Sequence, residues 1–78
     1  MNHKIVCWSD YAIPVPVEAN WMAMDNDGEW NWYEAKPKAE KDRDFWFNPE
    51  ELSYGIIGNC AAPPEPGPWT EQLYWIGD

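Results

Sequence analysis

Basic residues are scarce in this chain, and their scarcity excludes several classes of partner. Its 78 residues carry fourteen acidic side chains against five basic ones, a formal net charge of −9. Four of those five lie within residues 36–44, which leaves Lys4 as the fifth. Because nucleic acids and anionic membranes attract positive surfaces, we expect neither as a direct partner.

Long apolar runs are also missing. No stretch approaches the ~20 apolar residues that a transmembrane helix needs. The apolar run near the start, His3 to Trp8, is too short for a signal peptide and lacks its small-residue cleavage site. We therefore expect a soluble, intracellular protein.

Aliphatic side chains are few, so the core must be aromatic. The chain has ten Leu, Ile and Val residues, but seven tryptophans, four tyrosines and two phenylalanines. A domain of this size buries only about 60% of the surface that its unfolded chain exposes. Each enclosed aromatic ring buries roughly 150–250 Å². We expect residues 1–78 to form one small domain stabilised mainly by these rings.

Cysteine and histidine are too sparse to indicate a metal centre or a nucleophile. His3, Cys7 and Cys60 lack the paired spacing of zinc ligands. Nothing orients His3 and Cys7 as a catalytic pair, and both cysteines are typical of reduced, apolar core residues. We predict that the protein is not an enzyme and needs no cofactor.

One acidic stretch partly matches a calcium loop. Asp25, Asp27, Gly28 and Glu34 occupy positions 3, 5, 6 and 12 of an EF-hand pattern. Position 1 would be Ala23, and the flanking residues favour strands rather than helices. We interpret the match as a coincidence with a turn, so we expect no metal.

The strongest structural signal is residues 20–34, where an Asp-Gly pair separates two alternating, aromatic-rich runs. That arrangement is typical of a β-hairpin. We expect the rest of the chain to be organised around it, as a mainly β, single-domain, twisted antiparallel sheet.

Two turn geometries fit this hairpin. A two-residue turn at Asp27 and Gly28 would place the tryptophans on the same face as a carboxylate. A type I turn centred on Asn26 and Asp27, with Gly28 as a left-handed bulge, instead pairs Asp25 with Glu29. We predict the second register. The core face then carries Met22, Met24, Trp30 and Trp32, and the opposite face carries Trp21, Ala23, Asn31 and Tyr33.

Three further segments are predicted to be strands: residues 3–8, 45–47 and 53–58. Residues 13–17 alternate proline with β-branched residues, which favours an edge strand or a rigid lead-in to the hairpin. The last ten residues hold three large aromatics, so we expect them to dock back on the sheet.

The connecting segments have distinct compositions. Residues 36–44 are charged and contain no large apolar side chain, which predicts a solvated loop. Residues 48–52 could form at most one short helical turn, with Asn48 as its N-cap. Residues 61–68 are rich in proline and must be extended.

Partner-binding candidates come from both the acidic and the aromatic residues. The densest carboxylate cluster is Asp25, Asp27, Glu29 and Glu34, close to the predicted turn. Trp21 and Tyr33 lie on the hairpin face opposite the predicted core, where they could contact a partner or be covered by the docked tail.

The motif Trp21-Met-Ala-Met-Asp25 followed by Asp27-Gly28, together with a later Trp69-x-x-x-Leu73, resembles small proteins encoded by bacteriophages and prophages. The resemblance covers roughly residues 16–77, with Met where those proteins usually have Ile. It implies an accessory protein made in the cytoplasm of an infected or lysogenic bacterium, and it carries over no catalytic or binding residue.

These observations lead to two hypotheses of function. The first is a non-enzymatic protein that binds a host or phage protein. It would inhibit a host defence or nucleic-acid-binding protein by imitating nucleic acid, although the acidic surface has a simpler explanation as an aid to solubility. The second is a structural or assembly component of the phage particle that uses an aromatic interaction face. The oligomeric state stays open.

Overall fold

A computed structural model of the protein describes residues 2–8, 11–48, 50–59, 63 and 67–77, without the side chain of Trp8. Within these ranges the chain is mainly β and antiparallel, as predicted, with one 3-10 turn at Trp69–Glu71. The strands are β1 (His3–Trp8), β2 (Tyr11–Pro16), β3 (Trp21–Met24), β4 (Trp30–Tyr33), β5 (Lys38–Glu40), β6 (Phe45–Phe47), β7 (Tyr54–Gly58) and β8 (Leu73–Trp75).

The hairpin of β3 and β4 has the predicted register. Met24 pairs with Trp30, and beyond that pair the Asp25 amide donates to the Glu29 carbonyl over 2.8 Å. Gly28 has a φ of 90°, which a side chain would strain, and its amide donates to the Asp25 carbonyl. The type I turn with a glycine bulge is therefore confirmed.

This hairpin is the centre of a four-stranded sheet with the order β7-β4-β3-β8. The predicted docking of the C-terminal segment is confirmed, because β8 pairs with β3 along one edge. The predicted strand near residues 53–58 is β7, which pairs with β4 along the other edge. Two separate hairpins, β1–β2 and β5–β6, complete the fold.

One side of the sheet, named here the Met22 face, is a closed apolar core. Met22 and Trp30 are fully buried there, against Ile13 and Val15 of β2. The two prolines of β2 alternate with these inward-facing residues, so they leave the contact surface unbroken. The alternation of proline and β-branched residues thus produces a strand that pairs with β1 and covers the sheet.

The opposite side, named here the Tyr33 face, is covered by the β5–β6 hairpin. Ala23 and Tyr33 are buried there against Trp46, with Trp69 and Leu73 packed around them. The prediction that the core lies on one face is therefore incomplete, since the sheet buries residues on both sides. Trp46 supplies the second cover because its large, buried ring packs on Ala23 and Tyr33.

The prediction for residues 36–44 needs correction, and the prediction of at most one helical turn in residues 48–52 can be made sharper. Residues 36–44 are not wholly a loop, because Lys38–Glu40 pairs with Phe45–Phe47 and the turn is confined to residues 41–44. The aromatic strand β6 gives this charged segment a partner, which composition alone does not show. Among described residues of 48–52 there is no helix, and Glu51 has a left-handed φ of 55°.

Two further predictions concern segments that are partly or wholly outside the described residues. Most of the proline-rich segment 61–68 lies outside them, as does Cys60. Cys7 is described, and it is free and exposed, so the prediction of a core cysteine is wrong at this position. In an edge hairpin, alternate residues of β1 face solvent, and Cys7 is one of them.

Candidate interaction groove

A groove of about 620 Å³ lies on the Tyr33 face, between β6 and β7. Its floor is β4, its sides are the two flanking strands, and the segment after β6 closes one end. The lining residues are Asp25, Glu29, Asn31, Tyr33, Phe45, Trp46, Phe47, Asn48, Glu51, Leu52, Tyr54 and Ile56.

The sides of this groove carry large apolar groups that face solvent. Ile56 is 72% exposed and Tyr54 is 62% exposed, while Phe45, Phe47 and Leu52 are each more than a third exposed. Because contiguous apolar surface rimmed by polar groups is a common mark of an interaction site, this groove is the best candidate on the described surface.

Asp25 is a structural carboxylate at one end of the groove. Its Oδ1 accepts from the Trp46 amide over 3.0 Å, and its Oδ2 accepts from Asn31 Nδ2 over 3.2 Å. The Trp46 indole completes the link by donating to the Met24 carbonyl over 2.8 Å. Asp25 therefore joins β6 to the central hairpin, which limits what it can offer a partner.

The environment of Asp25 also disfavours its charged form. Partial burial raises the pKa of this carboxyl above its ordinary value, and the nearby charges of Asp27 and Glu29 raise it further. The hydrogen bonds from Trp46 and Asn31 act in the opposite direction. The desolvation of Asp25 is thus only partly offset by its two donors.

The four predicted carboxylates do not form one cluster. Asp25, Asp27 and Glu29 are gathered at the hairpin turn, where the Asp27 carboxylate also accepts from the Glu29 amide over 3.0 Å. Glu34 lies beyond the other end of β4, five residues from Glu29 or roughly 16 Å along an extended strand. There its side chain accepts from the Ser53 amide over 3.4 Å.

Tyr33 is not available to a partner. Its side chain is 3% exposed, and its ring stacks on Tyr54 with centroids 6.0 Å apart. Burial, followed by the charge of Asp25, raises the pKa of its hydroxyl well above the ordinary value. Of the two outcomes left open for Tyr33, cover is the one observed, and the second hairpin contributes to it through Trp46 as well as the C-terminal segment. Tyr54 is the exposed member of the stacked pair.

Trp21 is half-buried and has two covering neighbours. The Trp75 ring meets it edge-on with centroids 5.1 Å apart, and the Lys36 ammonium lies 5.4 Å from its centroid. The predicted cover by the C-terminal segment is therefore present at Trp21. Trp75 is the ring of this pair that remains more exposed, at 55%.

Sequence reasoning missed several groove residues, chiefly Glu51, Leu52 and Ile56. They lie in or next to segments that read as a minor helical turn and an ordinary strand. The sequence does carry one signal for two of them, since Leu52 and Ile56 are aliphatic residues in a chain that has few. Their placement depends on β7 being an edge strand, which requires the pairing of distant segments.

The described residues offer neither a metal centre nor a membrane-spanning helix. In those ranges no group of three His, Cys, Asp or Glu side chains is placed to hold a metal ion. Over the same part of the chain, no helix is long and apolar enough to cross a membrane. The groove itself offers carboxylates, amides and aromatic rings, which bind cations and apolar groups.

Comparison with known proteins adds no identification. No protein-family description matches this chain, and neither curated proteins nor solved structures give a match.

Proposed function

We propose that this chain is a non-enzymatic bacteriophage accessory protein that binds a basic surface of a host protein in the bacterial cytoplasm. The observation that carries this proposal is the groove on the Tyr33 face, where exposed apolar side chains lie between carboxylates. A partner surface that binds nucleic acid is rich in Lys and Arg. The net charge of −9 would attract such a surface and accelerate association.

The bound protein would inhibit its partner by occupying the partner's nucleic-acid-binding surface. Asp27, which is exposed, and the half-buried Glu29 lie together at the hairpin turn and can meet basic side chains that otherwise contact phosphates. The apolar sides of the groove add contact area that phosphate lacks. A host nuclease or other defence component bound in this way would lose access to its nucleic acid.

The test combines capture from a bacterial host lysate with competition. The tagged protein should retain a basic partner at low salt and release it at high salt, because exposed ion pairs are screened. The purified partner should then lose its nucleic acid as this protein is added. Retention that does not change with salt, or a ternary complex with nucleic acid, would contradict the proposal.

A matched pair of variants sharpens this test. The double substitution Asp27→Asn with Glu29→Gln removes two charges at the turn, whereas Glu18→Gln with Glu71→Gln removes two exposed charges elsewhere. Both pairs have the same net charge. Loss of the partner with the first pair alone supports a specific acidic surface, and equal loss with both indicates only a general charge effect.

The alternative is an assembly role that uses the aromatic face. It is favoured by the exposure of Trp75 and Ile56, which lie on the two edge strands of the sheet. Sedimentation over a range of concentrations tests it. A self-associating species at high concentration favours assembly, and a strict monomer favours the host-binding function.

A further inference from the structure

The ends of the groove are both acidic. Asp25 and Glu29 lie at the end next to the hairpin turn, and Glu51 lies at the end closed by the segment after β6. The register gives the length of the groove floor, because Tyr33 pairs with Tyr54 at the closed end while Glu29 precedes β4 at the open end. Four residues of β4 separate these ends, which is about 13 Å of extended chain.

The middle of the groove is apolar. Phe45, Phe47, Tyr54 and Ile56 provide the sides, and the lining contains no Lys or Arg among the residues that the structure describes. An occupant with positive charge at its two ends and apolar groups between them would match both features. A uniformly charged occupant would leave apolar surface in contact with water.

Glu51 has a conformation that glycine would adopt with less strain. Its φ of 55° is left-handed, a region that costs a residue with a side chain roughly 1–2 kcal/mol. Within the described part of the chain, no side-chain hydrogen bond or ion pair of Glu51 compensates for this cost. Strained residues of this kind concentrate at functional sites.

A second group at the closed end is an acceptor without a donor. Asn48 Nδ2 donates to the Leu52 carbonyl over 2.7 Å, which fixes the side-chain amide. Its Oδ1 is buried and has no hydrogen-bond partner among the described residues. Because buried acceptors are normally paired, the unpaired partial charge of this oxygen adds to the negative potential at the closed end of the groove.

We propose that the groove binds an extended peptide segment of the partner that carries two basic side chains four residues apart, with apolar residues between them. The first basic side chain of the peptide forms an ion pair with Glu29. The second is an arginine, whose guanidinium can donate two parallel hydrogen bonds to the exposed Glu51 carboxylate. This inference rests on the proposed function and names the chemistry of its partner.

Synthetic peptides bound to the full chain test the spacing. One probe has Arg at positions 3 and 7 of a nine-residue peptide with Val and Leu between them, and a second has the same composition with the two Arg adjacent. Binding is followed by backbone amide NMR shifts. We expect about tenfold tighter binding of the spaced peptide, as for two partly exposed charged contacts. Equal binding of both peptides, or shifts away from the groove, would overturn the proposal.

Variants test the two acidic ends. Glu29→Gln with Glu51→Gln should weaken the spaced peptide by about tenfold, whereas the charge-matched Glu18→Gln with Glu71→Gln should leave its affinity within about twofold of the original. Glu51→Gly is the decisive single change, because it should raise stability while weakening binding. A merely structural Glu51 would leave binding unchanged in that variant.

The same variants separate this inference from the proposed function. If a basic host partner is still captured by Glu29→Gln with Glu51→Gln but lost with Asp27→Asn and Glu29→Gln, host binding stands and the groove peptide is wrong. If the unaltered protein captures no basic partner, both proposals fail.

Discussion

The two faces of the central sheet are covered in different ways. On the Met22 face, Trp30 and Met22 meet β2 through apolar contacts and are completely buried. On the Tyr33 face, the β5–β6 hairpin is attached by hydrogen bonds from Trp46 to Asp25 and Met24. That attachment occupies only part of the face, and the remainder is the groove.

The difference shows how one hairpin can serve stability and binding at once. Apolar contact is non-directional, so it favours complete closure of a face. Hydrogen bonds are directional, so a few of them, together with the packed Trp46 ring, can hold a small hairpin at one position and leave a gap beside it. We expect the first face to dominate the free energy of unfolding and the second to tolerate changes that alter the groove.

The largest effect should come from truncating Trp30 on the Met22 face. Trp30→Ala removes a fully buried ring and should lower the free energy of unfolding by about 3–5 kcal/mol. Urea denaturation followed by circular dichroism measures the change. Ile56→Ala, at a site that is 72% exposed, is the control and should change stability by less than about 0.5 kcal/mol. Similar losses for both would contradict the assignment of the core.

Gly55→Ala should have the next-largest effect, because it forces a change in packing on the Met22 face. An added Cβ would lie 2.7 Å from Trp32 Nε1, and overpacking of this kind costs about 1–3 kcal/mol. The same denaturation experiment measures it. In a Trp32→Leu background, Gly55→Ala should lower the free energy of unfolding by less. An unchanged loss would mean that the added methyl group strains the backbone rather than the Trp32 ring.

Trp46→Phe tests the polar attachment of the Tyr33 face. It keeps a ring but removes the donor to the Met24 carbonyl, so we expect a loss of about 1 kcal/mol. Hydrogen exchange should show faster opening of β5 and β6 with β3 and β4 still protected. Equal acceleration in all four strands would mean that the second hairpin is not a separate unit.

The smallest predicted effect is the pH dependence from Asp25. Its pKa is raised in the folded state, so the native protein binds more protons than the unfolded chain between the two pKa values. The contribution of Asp25 to stability is therefore highest at low pH and falls as the pH rises through this window. Relative to Asp25→Asn, the original protein should lose stability from about pH 4 upwards.

NMR titration of the Asp25 carboxyl carbon checks the cause directly. Its midpoint should lie above the ordinary value for aspartate, owing first to desolvation and then to Asp27 and Glu29. A midpoint at or below that value would show that the hydrogen bonds from Trp46 and Asn31 outweigh burial.

Much of the fold could be predicted from local sequence. The turn at Asn26 to Gly28 has few geometries available to it, and a register follows once Gly28 takes the left-handed position. Strands β1 and β7 are apolar runs with clear limits. The charged strand β5 could not be predicted, because Lys38–Glu40 becomes a strand only by pairing with aromatic β6.

The candidate site was predicted less completely. Asp27 and Glu29 do lie together at the turn, as their spacing suggested. Asp25 has a structural role because Trp46, twenty-one residues later in the chain, donates to it. Tyr33 is buried because a second hairpin covers its face. Contacts between residues so far apart in the sequence depend on tertiary packing. The alternation of hydrophobic residues within one hairpin does not encode that packing.

The pairing of β3 with β8 also affects how the chain folds. Ala23 must find Leu73, fifty residues later, before one edge of the sheet exists. Contacts so distant in sequence slow folding, because loop closure must precede the contacts that stabilise it. During that interval the tryptophans of β3 and β4 are open to other chains. Mutual repulsion between molecules of charge −9 then acts against aggregation, so the acidic composition protects the chain before it folds as well as the folded surface.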